Sequence, residues 1–164
     1  MKQISLTQGK MALVDDEDYE YLNQWKWYAH CRKNSNIFYA CRWDKSRKEH
    51  PRKIIRMHRF ILQPTKNLQV DHIDGNGLNN QRSNLRLCTG QQNSQNCRLA
   101  RHNTSGYKGV TFDRTGYRAR ITFNRKQILL GYFSTPEEAA QAYNKAAIKY
   151  FGRFAKLNIM KGNI

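Results

Sequence analysis

Val70–Arg86 reads VDHIDGNGLNNQRSNLR, and its spacing decides the fold. The pair Asp71-His72 is followed twelve residues later by Asn84, and nine residues further by Asn93. An acid, a base, an amide to orient that base and a second oxygen ligand make up the side-chain set of a one-metal phosphodiesterase. His72 suits the proton transfer, because an imidazole of pKa about 6.5 is largely neutral at working pH. Asp71 offers a hard oxygen to a divalent cation, and Asn93 a neutral one. Asn84 is expected to hold the other nitrogen of His72 and fix its tautomer. With two protein ligands, water and phosphate oxygens must complete the shell, which Mg²⁺ or Mn²⁺ tolerates, so metal binding is expected to be weak until DNA arrives. A calcium loop does not fit, since Ile73 stands at the ligand position two after Asp71 and no Glu stands at the twelfth. As a polar turn, DHIDGNGLNN would satisfy only its own backbone; the four-residue spacing on the scaffold below favours the site.

Leu68–Ile73 reads as a strand, Asp74–Gln81 as a Gly- and Asn-rich loop, and Asn84–Cys88 as a second strand. Thr89 with Gln92 forms a capping-box signature that starts a helix. This is a compact ββα unit. Neighbours on a regular strand point to opposite faces, so Asp71 and His72 share one site only if the strand twists or ends there.

Upstream, Ile4–Val14 reads as one or two short strands about Gln8-Gly9. An acidic stretch from Asp15 suits a helix N-terminus and leads into Tyr19–Gln24. Trp25–Cys31 and Ile37–Trp43 read as strands around Asn34-Ser35-Asn36, Lys45–Lys53 as a charged loop, and Ile54–Leu62 as the return to the core. Cys31 and Cys41 could face each other across the hairpin with His30 nearby, but four cysteines without a C-x-x-C pair read more simply as packed thiols.

Downstream, Leu99–Gly106 is polar and aperiodic, the best linker. Tyr107–Phe112, Gly116–Asn124 and Ile128–Phe133 read as three antiparallel strands, and Thr135-Pro136-Glu137-Glu138 opens a helix that Gly152 stops. In Gly116–Asn124, Tyr117, Ala119, Ile121 and Phe123 share one face, and Arg118, Arg120 and Thr122 the other. With Lys108, Arg114, Arg125 and Lys126 this predicts a basic sheet surface that binds DNA, where Arg reads guanine edges or clamps phosphates.

The 164 residues carry 29 Lys+Arg against 12 Asp+Glu, a net charge of +17. Five of the acids fall within Asp15–Glu20, so the remaining surface is more basic still, and a polyanion is the expected partner. No apolar run approaches the roughly 20 residues that span a bilayer, and Met1–Lys10 is not a signal peptide, so a cytoplasmic protein is expected.

MHRFIL (Met57–Leu62) with VDHIDGNGLNNQRSNLRLCTGQQNSQN (Val70–Asn96) resembles the HNH endonucleases and their ββα-metal fold, especially the phage intron-encoded homing and nicking enzymes. The resemblance implies that His72 is the general base, Asn84 its orienting residue, and Asp71 and Asn93 the metal ligands. Many members carry His at the last position; Asn93 matches the phage subgroup and implies magnesium or manganese rather than zinc or nickel. His58-Arg59 also matches a recurrent pair, with no role derived for it. SGYKGVTF, YRARITF and LGYFSTPEEAAQAYNKAAIKYFGRFAKLN, over Ser105–Asn158, are similar to the plant APETALA/ethylene-response-factor DNA-binding domain. Lys108, Thr111, Arg120, Gln127 and Leu129 depart from that family's pattern, so the sheet carries over and the plant recognition sequence does not.

The expectation is therefore an α+β chain. An N-terminal antiparallel β-rich region leads into a ββα-metal finger (1–98, motif core 57–97). A linker follows (99–106), then a three-stranded antiparallel sheet packed on one helix (107–159). It implies a metal-dependent endonuclease acting on double-stranded DNA, a phage protein working in a bacterial host, with no membrane and no small-molecule substrate. One site per chain implies a monomer with site-directed nicking or homing-type cleavage, one strand at a time unless two copies meet on the duplex. The alternative is a DNA-binding regulator that does not cleave.

Overall fold

The computed structural model describes residues 1–31, 36–44, 53–97, 99–100 and 102–160. The architecture is α+β with antiparallel sheets, as the patterning predicts, and it divides into two compact units, Met1–Asn93 and Ser94–Ile164.

The first unit opens with a hairpin of β1 (Lys2–Ser5) and β2 (Met11–Val14) about Gln8 and Gly9, both at positive φ. Helix α1 (Asp16–Asn23) follows, with Asp16, Glu17 and Asp18 in its first turn, where negative charge meets the positive end of the helix dipole. Strands β3 (Tyr28–Cys31), β4 (Phe38–Trp43) and β5 (Ile54–Arg56) form a sheet in chain order. The turn expected at Asn34-Ser35-Asn36 and the loop expected over Lys45–Lys53 lie largely outside the described residues. Cys31 pairs with Phe38 and Cys41 with Tyr28, so the two thiols are not cross-strand partners. All four cysteines are thiols rather than disulfide partners, and among the described residues no three His, Cys, Asp or Glu side chains gather as a metal site.

The return to the core is made by β5 and a short helix: α2 (Met57–Leu62) follows the strand directly. It buries Met57, His58 and Ile61 and ends at Gln63, which adopts the left-handed conformation. The motif region is the expected ββα unit. Strands β6 (Gln69–His72) and β7 (Leu85–Cys88) pair antiparallel, a single 3₁₀ turn (Arg82–Asn84) precedes β7, and α3 (Gly90–Gln95) follows. Thr89 and Gln92 exchange both capping bonds, at 2.9 and 3.2 Å. One apolar core gathers Ile4, Val14, Leu22, Trp27, Met57, Val70 and Leu85 behind these elements.

In the second unit β8 (Val110–Asp113), β9 (Gly116–Phe123) and β10 (Lys126–Phe133) form an antiparallel sheet with β9 central. Helix α4 (Pro136–Phe151) packs on one face. Its alanines allow close approach, and Ala139, Ala140, Ala146 and Ala147 are buried with Val110, Ala119 and Ile121. The first strand begins at Val110, later than the pattern predicts. Gly109 has a φ of +77°, and a Cβ there would collide with the ring of Tyr143. Thr135 and Glu138 close the capping box of α4.

Candidate active site

The loop between β6 and β7 is fixed from within and from outside. Inside it, the Asp74 carboxylate accepts from Asn76 N–H (2.7 Å), Asn79 Nδ2 (2.9 Å) and Asn84 Nδ2 (3.0 Å). Burial works against the Asp74 anion, but these donors prevail and hold its carboxyl below the usual range. From outside, Leu13 on β2 bonds the loop backbone twice: its N–H donates to Leu78 O (2.9 Å), and its carbonyl accepts from Asn80 N–H (2.8 Å). Asp15 accepts from Arg82 N–H (2.7 Å), while Asp18 takes the Arg82 guanidinium at 2.7 and 2.8 Å. The acidic stretch therefore anchors the motif as well as opening α1. Gly77 lies so close to β4 that a Cβ would clash with Phe38 O and stand 2.7 Å from the Tyr39 ring.

His72 ends β6 and is buried, with its Nε2 3.4 Å from Asn80 Oδ1. Asn80 is fully buried, and its Nδ2 donates to Leu78 O (3.1 Å), which turns the amide oxygen toward the ring. Such an oxygen selects the tautomer with hydrogen on Nε2 and the lone pair on Nδ1. Burial pushes the His72 imidazole below its ordinary value, against the Asn80 bond and the Asp74 and Asp71 charges, which raise it. The ring is therefore kept in its basic, uncharged form.

The side-chain contact with His72 expected of Asn84 is made by Asn80. Asn84 spends its side chain on the loop: Oδ1 accepts from Asp74 N–H (3.0 Å), and Nδ2 donates to Asp74 Oδ1 and to Asn79 O (2.8 Å). The physical reason is position: Asn84 lies in the 3₁₀ turn before β7, while the Leu13 bridge draws Asn80 beneath the His72 ring.

Asp71 is buried beside His72, and its Oδ2 accepts from Arg86 Nε (2.9 Å) and Nη2 (2.6 Å) across the β6–β7 ladder. Asn93 lies on α3, and its Nδ2 donates to Gln69 Oε1 (2.7 Å). A carboxylate and an amide oxygen are hard donors, the chemistry that suits a divalent cation. Sequence spacing missed Arg86, which holds the candidate carboxylate; its place directly across the ladder from Asp71 is the signal that could have found it.

Two further rings surround His72. The His58 centroid is 4.8 Å away at an interplanar angle of 78°, and the Tyr39 centroid is 5.8 Å away. Burial above all, with help from His72, Arg56 and Arg59, pushes the His58 imidazole down to about 3. His58 Nδ1 is buried without a hydrogen-bond partner.

In the second unit, Arg118 and Arg120 lie on the face of β9 opposite buried Ala119 and Ile121, as the alternation predicts. Arg118 pairs with Asp113 (3.1 Å), and Arg120 Nη1 donates to Gln127 Oε1 (3.4 Å). Arg114 and Arg125 sit at positive φ in the two turns, and exposed Lys126 opens β10. Lys108 does not join them. Its ammonium donates to Gln95 O (2.6 Å) and Cys97 O (2.9 Å), and burial pushes its pKa down. The sequence pattern counted its charge but could not see the two carbonyls that claim it.

A model of the HNH endonuclease family matches residues 63–95. A protein of Acanthamoeba polyphaga mimivirus named as an HNH endonuclease is 33% identical over 157 residues, which covers 92% of this chain and 75% of the viral protein. Protein 3.8 of Escherichia phage T7 is 42% identical over 64 residues, 38% of this chain and 53% of its own length. An AP2-like ethylene-responsive transcription factor of Arabidopsis thaliana is 43% identical over 65 residues, 38% of this chain and 13% of the plant protein.

Proposed function

This chain belongs to the HNH endonucleases and is a DNA nuclease, and from that premise we propose that it nicks duplex DNA by metal-dependent hydrolysis with His72 as general base. The observation that carries the base assignment is the buried contact of His72 Nε2 with Asn80 Oδ1, which leaves the basic lone pair on Nδ1. A water O–H bond breaks, its proton passes to His72 Nδ1, and the oxygen bonds to phosphorus as the in-line P–O bond to the sugar breaks and the leaving sugar oxygen takes a proton from solvent water. Asn80 keeps the imidazole in the productive tautomer, and Asn84 keeps the loop that carries Asn80 in shape. Asp71 and Asn93 are the residues to hold the divalent ion, Mg²⁺ or Mn²⁺, which when bound supplies charge stabilisation at the scissile phosphate. Arg86 pairs with Asp71, and a bound ion would share that carboxylate with the guanidinium.

The second unit brings the duplex. Arg114, Arg118, Arg120, Arg125 and Lys126 form the proposed DNA surface, supported by the alternation of β9 and by the partial similarity to plant AP2-like factors. A monomer acting on one strand in a bacterial cytoplasm is the simplest mode, in keeping with the phage relative.

The test is supercoiled plasmid incubated with the protein and Mg²⁺ or Mn²⁺, with and without chelator. Chelator and His72→Ala should each abolish nicking, while the variant binds duplex within a few-fold of the wild type. Cleavage retained by His72→Ala would sink the base assignment.

A further inference from the structure

The sheet of β3, β4 and β5 has two faces of different character. Ala29, Phe38, Ala40 and Ile55 share one of them, and all four pack into the apolar core. Alternation and register place Tyr28, Tyr39, Cys41, Trp43 and Arg56 on the other. That second face leads to the candidate active site, because Tyr39 stands against both His58 and His72. From Tyr39 it runs along β4 to Trp43, about 13 Å away at the rise of a strand. Trp43 is 44% exposed and lies stacked on Tyr28, with the ring centroids 5.8 Å apart.

Arg56 gives this face its charge. It is exposed, directly across the ladder from Cys41, and the next residue but one is His58. Among the described residues no ion pair or side-chain hydrogen bond engages its guanidinium, whereas Arg82 and Arg86 of the same unit are held by Asp18 and Asp71. Burial pushes the Cys41 thiol up to about 11 and raises the Tyr28 hydroxyl; the Arg56 charge opposes both, which places the cation beside the aromatic pair. No Asp or Glu stands on this face within the paired strands. A cation without a counter-ion beside a partly exposed indole suits a nucleic acid backbone. The guanidinium takes a phosphate, and the ring packs on the deoxyribose next to it.

We propose that this face is a second DNA-contact surface, on the nuclease unit itself: Arg56 binds a phosphate of the strand to be cut, and Trp43, backed by Tyr28, packs on a sugar of that same strand. The inference rests on the nuclease reading above. A strand that passes His72 continues past Tyr39, and this face lies along its path. At an axial spacing of about 3.4 Å per nucleotide, 13 Å corresponds to roughly four nucleotides. The two contacts therefore fall within a few nucleotides of the cut, and they add to the affinity supplied by the β9 arginines.

The experiment uses the full chain as wild type, Arg56→Gln, Trp43→Ala and Trp43→Phe, the first of these variants also combined with Arg118→Ala and Arg120→Ala. It measures affinity for a duplex oligonucleotide without catalytic metal across a salt series, and single-turnover nicking at saturating protein. Arg56→Gln should bind about three- to tenfold more weakly, with the slope of log affinity against log salt reduced by about one, and the same decrement should persist without the β9 arginines. Trp43→Ala should lose several-fold in affinity with an unchanged slope, and Trp43→Phe, which keeps a ring, should recover most of it. Saturating protein should bring each single variant to within about threefold of the wild-type nicking rate, because these contacts are made before and during the reaction alike. The proposal is overturned if Arg56→Gln keeps the affinity and slope of the wild type, as it would if the face served a protein partner. It is equally overturned if Trp43→Ala binds as the wild type does, or if Trp43→Phe loses as much as Trp43→Ala. Absence of metal-dependent nicking by the wild type is a different result: it overturns the nuclease reading, while the affinities and salt slopes still decide the DNA surface.

Discussion

At the scale of single residues, the site is a set of polar groups whose roles depend on one or two contacts each. The segment Asn76–Asn84 offers four asparagines, and sequence spacing alone does not say which one meets His72. Spacing led to Asn84, and a backbone bridge from Leu13 makes it Asn80 instead. Asp71 and His72 stand out in the sequence because an acid and an imidazole side by side offer both a metal ligand and a base. Tyr39, His58 and Arg86 were not, since only tertiary packing or strand register brings them to the site. His58 also has a consequence for stability. Its pKa lies near 3 in the folded chain against an ordinary 6.5. Above 6.5 it is neutral in both states, but below that value the unfolded chain takes a proton that the native chain refuses. Native stability should therefore fall as pH drops from about 6.5 toward 3, and His58→Phe should remove that component. Urea midpoints near neutrality and near pH 5 give the check: an equal acid loss in both proteins would contradict it.

At the scale of elements, the ββα unit and the sheet–helix unit were both readable, because capping and alternation are local signals. Thr89 with Gln92 and Thr135 with Glu138 start their helices where the pattern places them. Helix α2 was harder to see: at six residues it follows a strand with no capping side chain to announce it. The packing of loop on strand at Gly77 gives an element-level prediction. Gly77→Ala must move either the β4 backbone at Phe38 or the Tyr39 ring. Overpacking of this kind costs roughly 1–3 kcal/mol, and displacement of Tyr39 should slow nicking beyond what that instability explains. Urea unfolding beside single-turnover rates would test this; a variant of unchanged stability and rate would mean that Tyr39 yields without cost.

At the scale of the whole molecule, the charge of +17 is legible as an affinity for polyanions, but its allocation is not. Asp113 offsets Arg118, Asp18 holds Arg82, Asp71 holds Arg86, and two carbonyls hold Lys108. On the second unit, the outer face of β9 and its turns present Arg114, Arg118, Arg120, Arg125 and Lys126 as the proposed contacts to phosphate. Replacing Arg118 and Arg120 together by Ala should weaken duplex binding and reduce the slope of log affinity against log salt by up to about two. Lys108→Ala should instead lower the stability of the second unit and leave that slope unchanged. A slope unmoved by the arginine pair would remove the sheet from the interface.

The Leu13 bridge and the Asp15 and Asp18 anchors lie far upstream of residues 63–95, the span that defines the family. The recognisable signature is therefore not a portable cutting unit. Transplanted alone, it would carry the reacting side chains without the hairpin and acidic turn that hold the loop beneath His72. Any graft, truncation or chimera has to inherit the N-terminus with the motif.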